Sequence, residues 1–420
     1  MTPKLFTTLH GYSIKLLTAD VVAGITVAMV ALPLSIAIAI ASGAEPAAGL
    51  VTAVIGGLLV SLLGGSRVQI GGPTGAFIVV VYGVIQQFGF DGLLLATLMA
   101  GILLVVGGVL KAGRLIALIP EAVIEGFTVG IAVIIAVSQL KDLLGISVAR
   151  MPADLVHILP ALWNARASLN PAALMIGVGT VVLILVLRRV AVRLPGSIIA
   201  IGIASAAVAL LALPVETLHS RFGSLPNGLP MIALPPISVE RIGQLLPSAV
   251  VIAFLAGVES LLSALVADRM IGGAHRSHAE LIAQGAANIM SPLFGGLPAT
   301  GAIARTATNV RAGGRTPVAG IVHAGTILLV MVAAAPLASY LAMPALAGLL
   351  IVTAWAMSEP HRWPERMRAR PSDRLLLWLT LLLTVFSSLT VAIAVGTVVG
   401  LAQRLIRRDV PPAEWSAPER

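Results

Sequence analysis

The fold is decided by two short stretches of sequence, Gly71-Gly72-Pro73-Thr74-Gly75-Ala76-Phe77 and Gly295-Gly296-Leu297-Pro298-Ala299-Thr300-Gly301-Ala302-Ile303. Each contains Gly-Gly, then Pro, then Thr-Gly-Ala and a large apolar residue. The helices expected here, 74–88 and 301–311, are too short to cross a bilayer alone, because a span needs about 20 apolar residues. Proline suits a helix start, and glycine allows a ligand to approach the backbone. The pattern predicts two half-helices that begin inside a membrane.

The composition predicts that the whole chain lies in a membrane. Of its 420 residues, 58% are hydrophobic and 11% are charged, whereas a soluble domain has about 25% charged residues. The absence of cysteine excludes disulfides and thiolate metal sites. The histidines have no metal-binding spacing, and no nucleophile is followed by a matching base. We therefore expect no metal, no cofactor and no enzymatic activity.

Apolar runs between Val21 and Ala402 predict fourteen membrane helices, α1 to α14. They are expected at 18–41, 47–64, 74–88, 92–110, 120–144, 172–188, 196–213, 245–267, 279–293, 301–311, 316–335, 344–358, 373–387 and 389–408. The half-helices are α3 and α10, each the third helix of a seven-helix half. Since seven is odd, the halves are inverted repeats, and paired interrupted helices mark the binding site in such folds.

The basic residues give the orientation through the positive-inside rule. With the N-terminus in the cytoplasm, 21 of the 27 Lys and Arg lie on the cytoplasmic side, five lie outside, and Arg305 alone lies within a span. This partition predicts a multi-pass inner-membrane protein with both termini cytoplasmic. It places the net charge of +9 on short turns beside anionic lipid, so a nucleic-acid partner is not expected.

Two ionisable residues inside the spans are candidates for function. A carboxylate at the depth of Glu259 costs about 2.5–3.5 kcal/mol on insertion scales, so Glu259 is expected to face a cavity. Inverted repeats with paired interrupted helices are typical of secondary transporters, so we predict that Glu259 takes and releases a proton during transport. The alternative is a structural carboxylate paired with backbone N–H groups or with Arg305. Arg305 lies one turn after Gly301, where it either attracts an anion or neutralises Glu259.

Free N–H groups and the positive end of the helix dipole favour an anion at the start of each half-helix. We therefore predict that backbone N–H groups near Thr74–Ala76 and Gly301–Ala302 hold a small anion. Small residues also allow close packing of membrane helices. Two matched segments in equivalent positions favour the binding site over packing alone.

Several motifs resemble the SulP family of anion permeases, the solute carrier 26 group. They are Asp20-Val-Val-Ala-Gly24-Ile-Thr26 with Ala31-Leu-Pro33, Gly64-Gly-Ser-Arg67-Val-Gln-Ile-Gly-Gly-Pro73-Thr-Gly-Ala-Phe77, Glu125-Gly-Phe127-Thr-Val-Gly130, Gly301-Ala-Ile-Ala-Arg305-Thr306 and Arg315-Thr-Pro317. The resemblance covers nearly the whole chain. It implies an all-α fold of two inverted seven-helix repeats (the UraA-like 7+7 fold), with a core domain that moves against a gate domain like an elevator.

The resemblance also implies the domain boundaries. The core domain is expected at 1–114 (α1–α4) and 241–337 (α8–α11), and the gate domain at 115–240 (α5–α7) and 338–408 (α12–α14). A cytoplasmic tail is expected at 409–420, without the STAS domain that is usual in the family. A homodimer, which is common in this fold, is a further expectation.

The resemblance implies a substrate such as sulfate, which we expect first, or bicarbonate or a dicarboxylate. The predicted substrate site consists of Leu34, Ile38, Thr74, Gly75, Ala76, Gly301, Ala302, Ile303 and Arg305, with Glu259 for proton coupling and Ser263 as its neighbour. Leu34, Ser35 and Ile38 replace the Gln-Gly and aromatic residue of many relatives, so this wall is expected to be more apolar. Ile303 replaces a hydroxyl ligand of sodium-coupled members, which favours a proton over sodium.

Other functions remain as alternatives. An anion channel of the same fold would use the same half-helices to line an open pore, and a sodium-coupled bicarbonate symporter would keep the carrier mechanism. A nucleobase symporter is disfavoured, because α10 offers Ala302, Ile303 and Arg305 rather than acidic or amide side chains.

Overall fold

The computed structural model describes residues 2–111, 120–148, 152, 155–191, 194–387 and 389–406. Most of this is helical, and each of the fourteen predicted helices has a counterpart. The predicted tail, 409–420, and the last two residues expected in α14 lie outside the described residues.

The observed bounds lie close to the predicted ones. They are Ile14–Ala41 (α1), Pro46–Leu63 (α2), Gly75–Val109 (α3 and α4), Glu121–Ser138 (α5), Pro171–Val190 (α6), Gly196–Leu210 (α7), Val239–Ile271 (α8), Ser277–Leu293 (α9), Ile303–Arg311 (α10), Val318–Ala333 (α11), Met343–Met357 (α12), Pro371–Phe386 (α13) and Leu389–Ile406 (α14). A five-residue π-helical turn, Thr52–Gly56, interrupts α2. The helices α3 and α4 meet at Gly89, whose φ of 74° lies outside the helical region.

Seven helical segments of the described chain are long and apolar enough to cross a membrane by themselves. One of them, Gly75–Val109, contains both α3 and α4. Others, such as α10 with its nine residues, fall below the length of a span. Irregular and short helices are tolerated at membrane depth where surrounding protein satisfies their backbone groups, and neighbouring helices bury much of α10.

The helix packing has the symmetry of an inverted repeat. Helix α1 packs along α11, and α8 packs along α4. Each helix of the first half corresponds to the helix seven places later, so α1 corresponds to α8 and α4 corresponds to α11. The packed pair α1 and α11 is therefore equivalent to the packed pair α8 and α4. The same correspondence relates the packed pair α5 and α13 to the packed pair α12 and α6. The fold is therefore the predicted 7+7 arrangement.

Buried carboxylates tie the helix ends together. Asp20 is fully buried in α1 and accepts hydrogen bonds from the backbone N–H groups of Arg315 and Thr316, which precede α11. Glu280 of α9 accepts hydrogen bonds from the N–H groups of Gly65 and Ser66, which follow α2. These contacts join elements distant in sequence and position the loop that leads to α3 and the loop that follows α10.

Helices α4 and α9 approach each other through small residues, as is common in membrane bundles. A Cβ atom at Gly101 of α4 would lie 2.7 Å from the backbone nitrogen of Ile289 and 2.8 Å from the carbonyl oxygen of Gly285, both in α9. Because these obstacles are backbone atoms, α9 would have to move. A Cβ atom at Gly83, in the same continuous helical segment, would meet no atom within 4 Å.

We therefore expect Gly101→Ala to destabilise the protein by about 1–3 kcal/mol, the usual cost of overpacking, and to lower its thermal midpoint in detergent by several degrees. Gly83→Ala is the matched control and should leave the midpoint nearly unchanged. Equal midpoints for the two variants would contradict this packing of α4 on α9.

Candidate functional site

The two half-helices begin at one point, because the segments before them pair with each other. Strand β1, Gly71–Gly72, is antiparallel to β2, Thr300–Gly301, with Gly71 opposite Gly301. The N–H of Ala302 donates to the carbonyl of Ile70 over 2.8 Å and extends this pairing. The predicted convergence of the α3 and α10 N-termini is therefore present.

The crossing requires glycine at two positions. Gly72 has a φ of 148°, and a Cβ atom there would press against a guanidinium nitrogen of Arg305. A Cβ atom at Gly301 would overlap the side-chain amide of Gln69. Since L side chains rarely adopt the conformation of Gly72, the repeated Gly motifs allow the two backbones and their polar neighbours to approach closely.

The backbone amides divide into those already bonded and those still free. The N–H of Gly301 donates to Ser260 Oγ over 3.0 Å, and the N–H of Ala302 donates to Ile70. This differs from the prediction that these two amides hold the anion. The Ser260 side chain of α8 and the Ile70 carbonyl already accept from these two N–H groups. The sequence around Gly301 and Ala302 does not indicate either contact.

The free amides lie one residue further along. Within the described chain, no protein acceptor receives the N–H groups of Ile303 and Ala304 in α10, or those of Gly75 and Ala76 in α3. No side chain caps either helix start. The first turns of both half-helices thus present unpaired donors at the crossing, the arrangement that binds anions at helix N-termini.

Arg305 lies behind this crossing and is only 2% exposed. Its Nη2 donates to Ser35 Oγ of α1 over 3.1 Å and to the carbonyl of Pro73 over 3.0 Å. Its Nη1 is buried and has no hydrogen-bond partner in the described structure. One guanidinium therefore fixes α10, α1 and the start of α3 to each other and retains an unsatisfied donor.

Glu259 contacts the other half-helix. Its side chain is partly accessible, and its Oε2 accepts a hydrogen bond of 2.9 Å from Thr74 Oγ1. Among the described residues no ion pair joins Glu259 to Arg305. The predicted alternative of a permanent Glu259–Arg305 pair is thus not what the structure contains, and the Glu259 side chain bonds to Thr74 instead.

The remaining predicted site residues differ in their surroundings. Ile303 is 37% exposed and Leu34 is half-buried, whereas Ile38 is 1% exposed within the apolar core. Ser263, predicted as a neighbour of an ion site, contacts Thr306 Oγ1 over 3.2 Å between α8 and α10. The structure therefore surrounds Ile38 and Ser263 with protein contacts and leaves Ile303 accessible.

A buried polar network that the sequence motifs did not predict supports the crossing. Ser260 Oγ contacts Thr300 Oγ1 over 2.8 Å, and Thr306 Oγ1 accepts from the N–H of Ile70 over 3.1 Å. Asn309 Nδ2 donates to the carbonyl of Val68 over 2.8 Å. The sequence signal for this network is the helical spacing of polar residues such as Ser260 and Ser263 within an otherwise apolar span.

His323 of α11 is the histidine that lies deepest beside this network. It is fully buried, and neither ring nitrogen has a hydrogen-bond partner among the described residues. Its Nδ1 would lie 3.7 Å from a Cβ atom built at Gly57. His323 therefore packs behind the crossing, on the α2 side, rather than in its opening.

Inverted repeats of membrane helices, two half-helices that meet N-terminus to N-terminus, and ionisable groups at their crossing define a secondary-transporter fold. The chain belongs to the sulfate permease family, whose family description matches residues 17–380. It is a multi-pass membrane transporter of small anions and not an enzyme.

Known proteins of this family resemble the chain over most of its length. The putative sulfate transporter YvdB of Bacillus subtilis is 42% identical over 388 residues, which cover 92% of this chain and 73% of that protein. The bicarbonate transporter BicA of Picosynechococcus is 32% identical, covering 90% and 69% respectively.

Solved structures support the fold. The transmembrane domain of a cyanobacterium bicarbonate transporter BicA superimposes with a TM-score of 0.81 and 29% identity, covering 93% of this chain and 98% of that one. Murine Solute Carrier 26 family member A9, in the inward-facing state, gives a TM-score of 0.87 at 18% identity, covering 96% and 70%. This second likeness concerns the fold alone.

The position of Arg305 leads to a prediction for anion binding. Arg305→Met keeps the length of the side chain but removes its charge and its donors, and hydrogen bonds to charged groups contribute about 1.5–3 kcal/mol. We expect this variant to bind sulfate about 10- to 100-fold more weakly, measured as sulfate-dependent thermal stabilisation of the purified protein.

The matched control is Arg311→Met, which removes an exposed cation from the last turn of the same half-helix. It should retain the affinity of the unaltered protein. A folded Arg305→Met protein with unchanged sulfate affinity would contradict a role for this guanidinium in the anion site.

Proposed function

We propose that the protein takes up an inorganic oxyanion, sulfate first and bicarbonate next, together with a proton. The observation that carries this proposal is the pairing of β1 with β2, which brings four unpaired backbone amides and the Arg305 guanidinium to one place. Sulfate is placed first because the relative at 42% identity is named a putative sulfate transporter, and bicarbonate second because of the BicA proteins.

The proposed site binds the anion through Gly75 and Ala76 of α3 and through Ile303 and Ala304 of α10. Backbone N–H groups and helix dipoles attract negative charge without demanding one ligand shape. Leu34 and Ile303 supply apolar walls, which exclude water and strengthen the electrostatic attraction. Arg305 neutralises part of the charge of a bound oxyanion from behind the crossing.

Proton coupling follows from the charges around the crossing. With Glu259 ionised, its charge cancels that of Arg305, and the site offers an anion only the dipoles of the half-helices. Protonation of Glu259 leaves Arg305 uncompensated, so the anion binds more tightly. By thermodynamic reciprocity, a bound anion favours the protonated carboxyl to the same degree. Proton and anion would therefore load and unload together.

We further propose that transport moves α1–α4 with α8–α11 as a core domain against a gate domain of α5–α7 with α12–α14. The site would then travel with the core, because α1, α3, α8 and α10 are joined at the crossing through Ser35, Thr74 and Ser260. We also propose that the protein lies in the inner membrane, that both of its termini are cytoplasmic, and that it forms a homodimer. A proton is preferred to sodium because Ile303 brings no oxygen ligand.

The coupling role of Glu259 is tested by uptake of labelled sulfate into proteoliposomes over a range of external pH. In the unaltered protein we expect initial uptake to increase as external pH falls. Glu259→Gln resembles the protonated carboxyl but cannot release a proton, so exchange of sulfate should persist while net uptake no longer responds to a pH gradient.

Glu240→Gln is the control for this experiment, since Glu240 is exposed in the first turn of the same helix. It should keep the pH response of the unaltered protein. Proton coupling through Glu259 is wrong if Glu259→Gln keeps that response as well.

A carrier and a channel of the same fold are distinguished by countertransport. A carrier reorients faster with substrate on both sides, so unlabelled sulfate inside the vesicles should accelerate the entry of labelled sulfate several-fold, and entry should saturate with concentration. Uptake that shows neither effect, together with unitary currents in planar bilayers, would replace the proposed carrier by an anion channel.

A further inference from the structure

A basic cavity lies away from the half-helix crossing, beside the N-terminal segment. Its volume is about 280 Å³, at the small end of ligand sites. The side chains that matter at its wall come from the first residues of the chain, from the turn after α2 and from the start of α11. They are Lys4, Thr7, Thr8, His10, Arg67 and Thr316.

The N-terminal segment that lines this cavity is held in place by hydrogen bonds. The backbone N–H of Lys4 donates to the carbonyl of Gly64 over 2.9 Å, at the end of α2. Arg276, just before α9, donates through Nη1 to the carbonyl and hydroxyl oxygens of Thr2. The short helix Lys4–Thr8 therefore lies against the ends of α2 and α9, and the cavity is a formed part of the fold.

The two cations at the wall have no anionic partner. Neither Lys4 nor Arg67 makes a side-chain hydrogen bond or ion pair with any described residue. Burial lowers the pKa of Lys4, and the guanidiniums of Arg276 and Arg67 lower it further, while Asp268 opposes them. Lys4 and Arg67 thus bring positive charge that Asp268 offsets only in part and that no direct ion pair with a described residue neutralises.

The acidic side chains nearby are already engaged. Asp20 accepts from Tyr12 Oη over 2.9 Å and from Thr316 Oγ1 over 2.5 Å, in addition to two backbone N–H groups. Asp268 accepts from both the N–H and Nδ1 of His275. Glu280 binds the turn after α2. Lys4 and Arg67 therefore remain available to an external anion.

The surroundings of the cavity indicate where that anion comes from. Apolar side chains of the same segment lie exposed: Ile14 is 81% exposed, Phe6 61% and Leu9 44%. Large apolar side chains beside neighbouring cations are typical of a segment at the membrane interface. There the cations contact lipid headgroups and the apolar side chains enter the acyl region.

We propose that this cavity binds the phosphate group of an acidic phospholipid, with Lys4 and Arg67 on the phosphate oxygens and the acyl chains beside Phe6 and Ile14. Recognition depends on these two cations, because the hydroxyls of Thr7 and Thr8 donate to backbone carbonyls within their own helix. The lipid would fasten the N-terminal segment to the ends of α2 and α9. The proposal is independent of the substrate and coupling ion proposed above.

The test is lipid retention by the purified full chain, measured by native mass spectrometry after incubation with equal amounts of phosphatidylglycerol and phosphatidylcholine. We expect the unaltered protein to retain phosphatidylglycerol preferentially. The double variant Lys4→Gln with Arg67→Gln should bind phosphatidylglycerol at least about tenfold more weakly, since each basic residue near an anionic surface contributes to the attraction.

Two further variants keep this test decisive. Lys15→Gln with Arg269→Gln removes two exposed cations outside the cavity wall and should retain phosphatidylglycerol fully. Lys4→Arg with Arg67→Lys keeps both charges and should also retain it, which separates loss of charge from loss of folding. Thermal midpoints verify that each protein is folded.

Three outcomes would overturn the proposal. Equal retention by the Lys4/Arg67 and Lys15/Arg269 glutamine variants would mean that the cavity does not select the lipid. Equal retention of phosphatidylglycerol and phosphatidylcholine by the unaltered protein would remove the anionic headgroup as ligand. Stabilisation by inorganic phosphate, lost only in the Lys4/Arg67 variant and without lipid preference, would assign the cavity to a free anion.

Discussion

Two backbone segments of two residues each pair inside the helical bundle, and the positions of both half-helices follow from that pairing. Gly71–Gly72 and Thr300–Gly301 lie more than 200 residues apart in the chain, yet their register sets where α3 and α10 begin. The pairing satisfies backbone groups that would otherwise be exposed at membrane depth, where unsatisfied polar groups are costly. It also leaves the next amides of both helices without partners, so structural stability and anion binding use adjacent residues.

The polar side chains around the crossing have separate tasks. Arg305 joins α1, α3 and α10 through Ser35 and Pro73, while Glu259 reaches Thr74 from α8. A buried cation and a partly accessible carboxylate are therefore held beside the crossing by two adjacent residues, Pro73 and Thr74. Because they are not paired directly, the charge of one can change while the other keeps its structural contacts. Proximity without a direct ion pair is what a site needs if proton and anion binding are to depend on each other.

Much of this could be predicted from the sequence, because membrane spans and repeated Gly-Pro motifs have strong local signals. The helix bounds followed from local apolar patterns, and the inverted repeat and the meeting of α3 with α10 followed from the matched motifs at Gly71–Phe77 and Gly295–Ile303. The sequence did not indicate which backbone N–H groups at the crossing remain free to bind an anion. Gly301 and Ala302 are used by Ser260 and Ile70, and contacts between segments so distant in the chain have no local signature. The burial of Ile38 and the bonding of Ser263 to Thr306 depend likewise on how helices pack, which one sequence does not specify.

The central claim is that one anion lies between the first turns of α3 and α10. Selenate has the shape and charge of sulfate and scatters anomalously, so crystals of the protein grown with selenate locate it directly. We expect one anomalous peak about 4 Å from the amide nitrogens of Gly75 or Ala76 and of Ile303 or Ala304, because the selenate oxygens rather than its selenium lie at hydrogen-bond distance from those nitrogens. A selenate peak elsewhere in the bundle, with no anion at the crossing, would contradict the account.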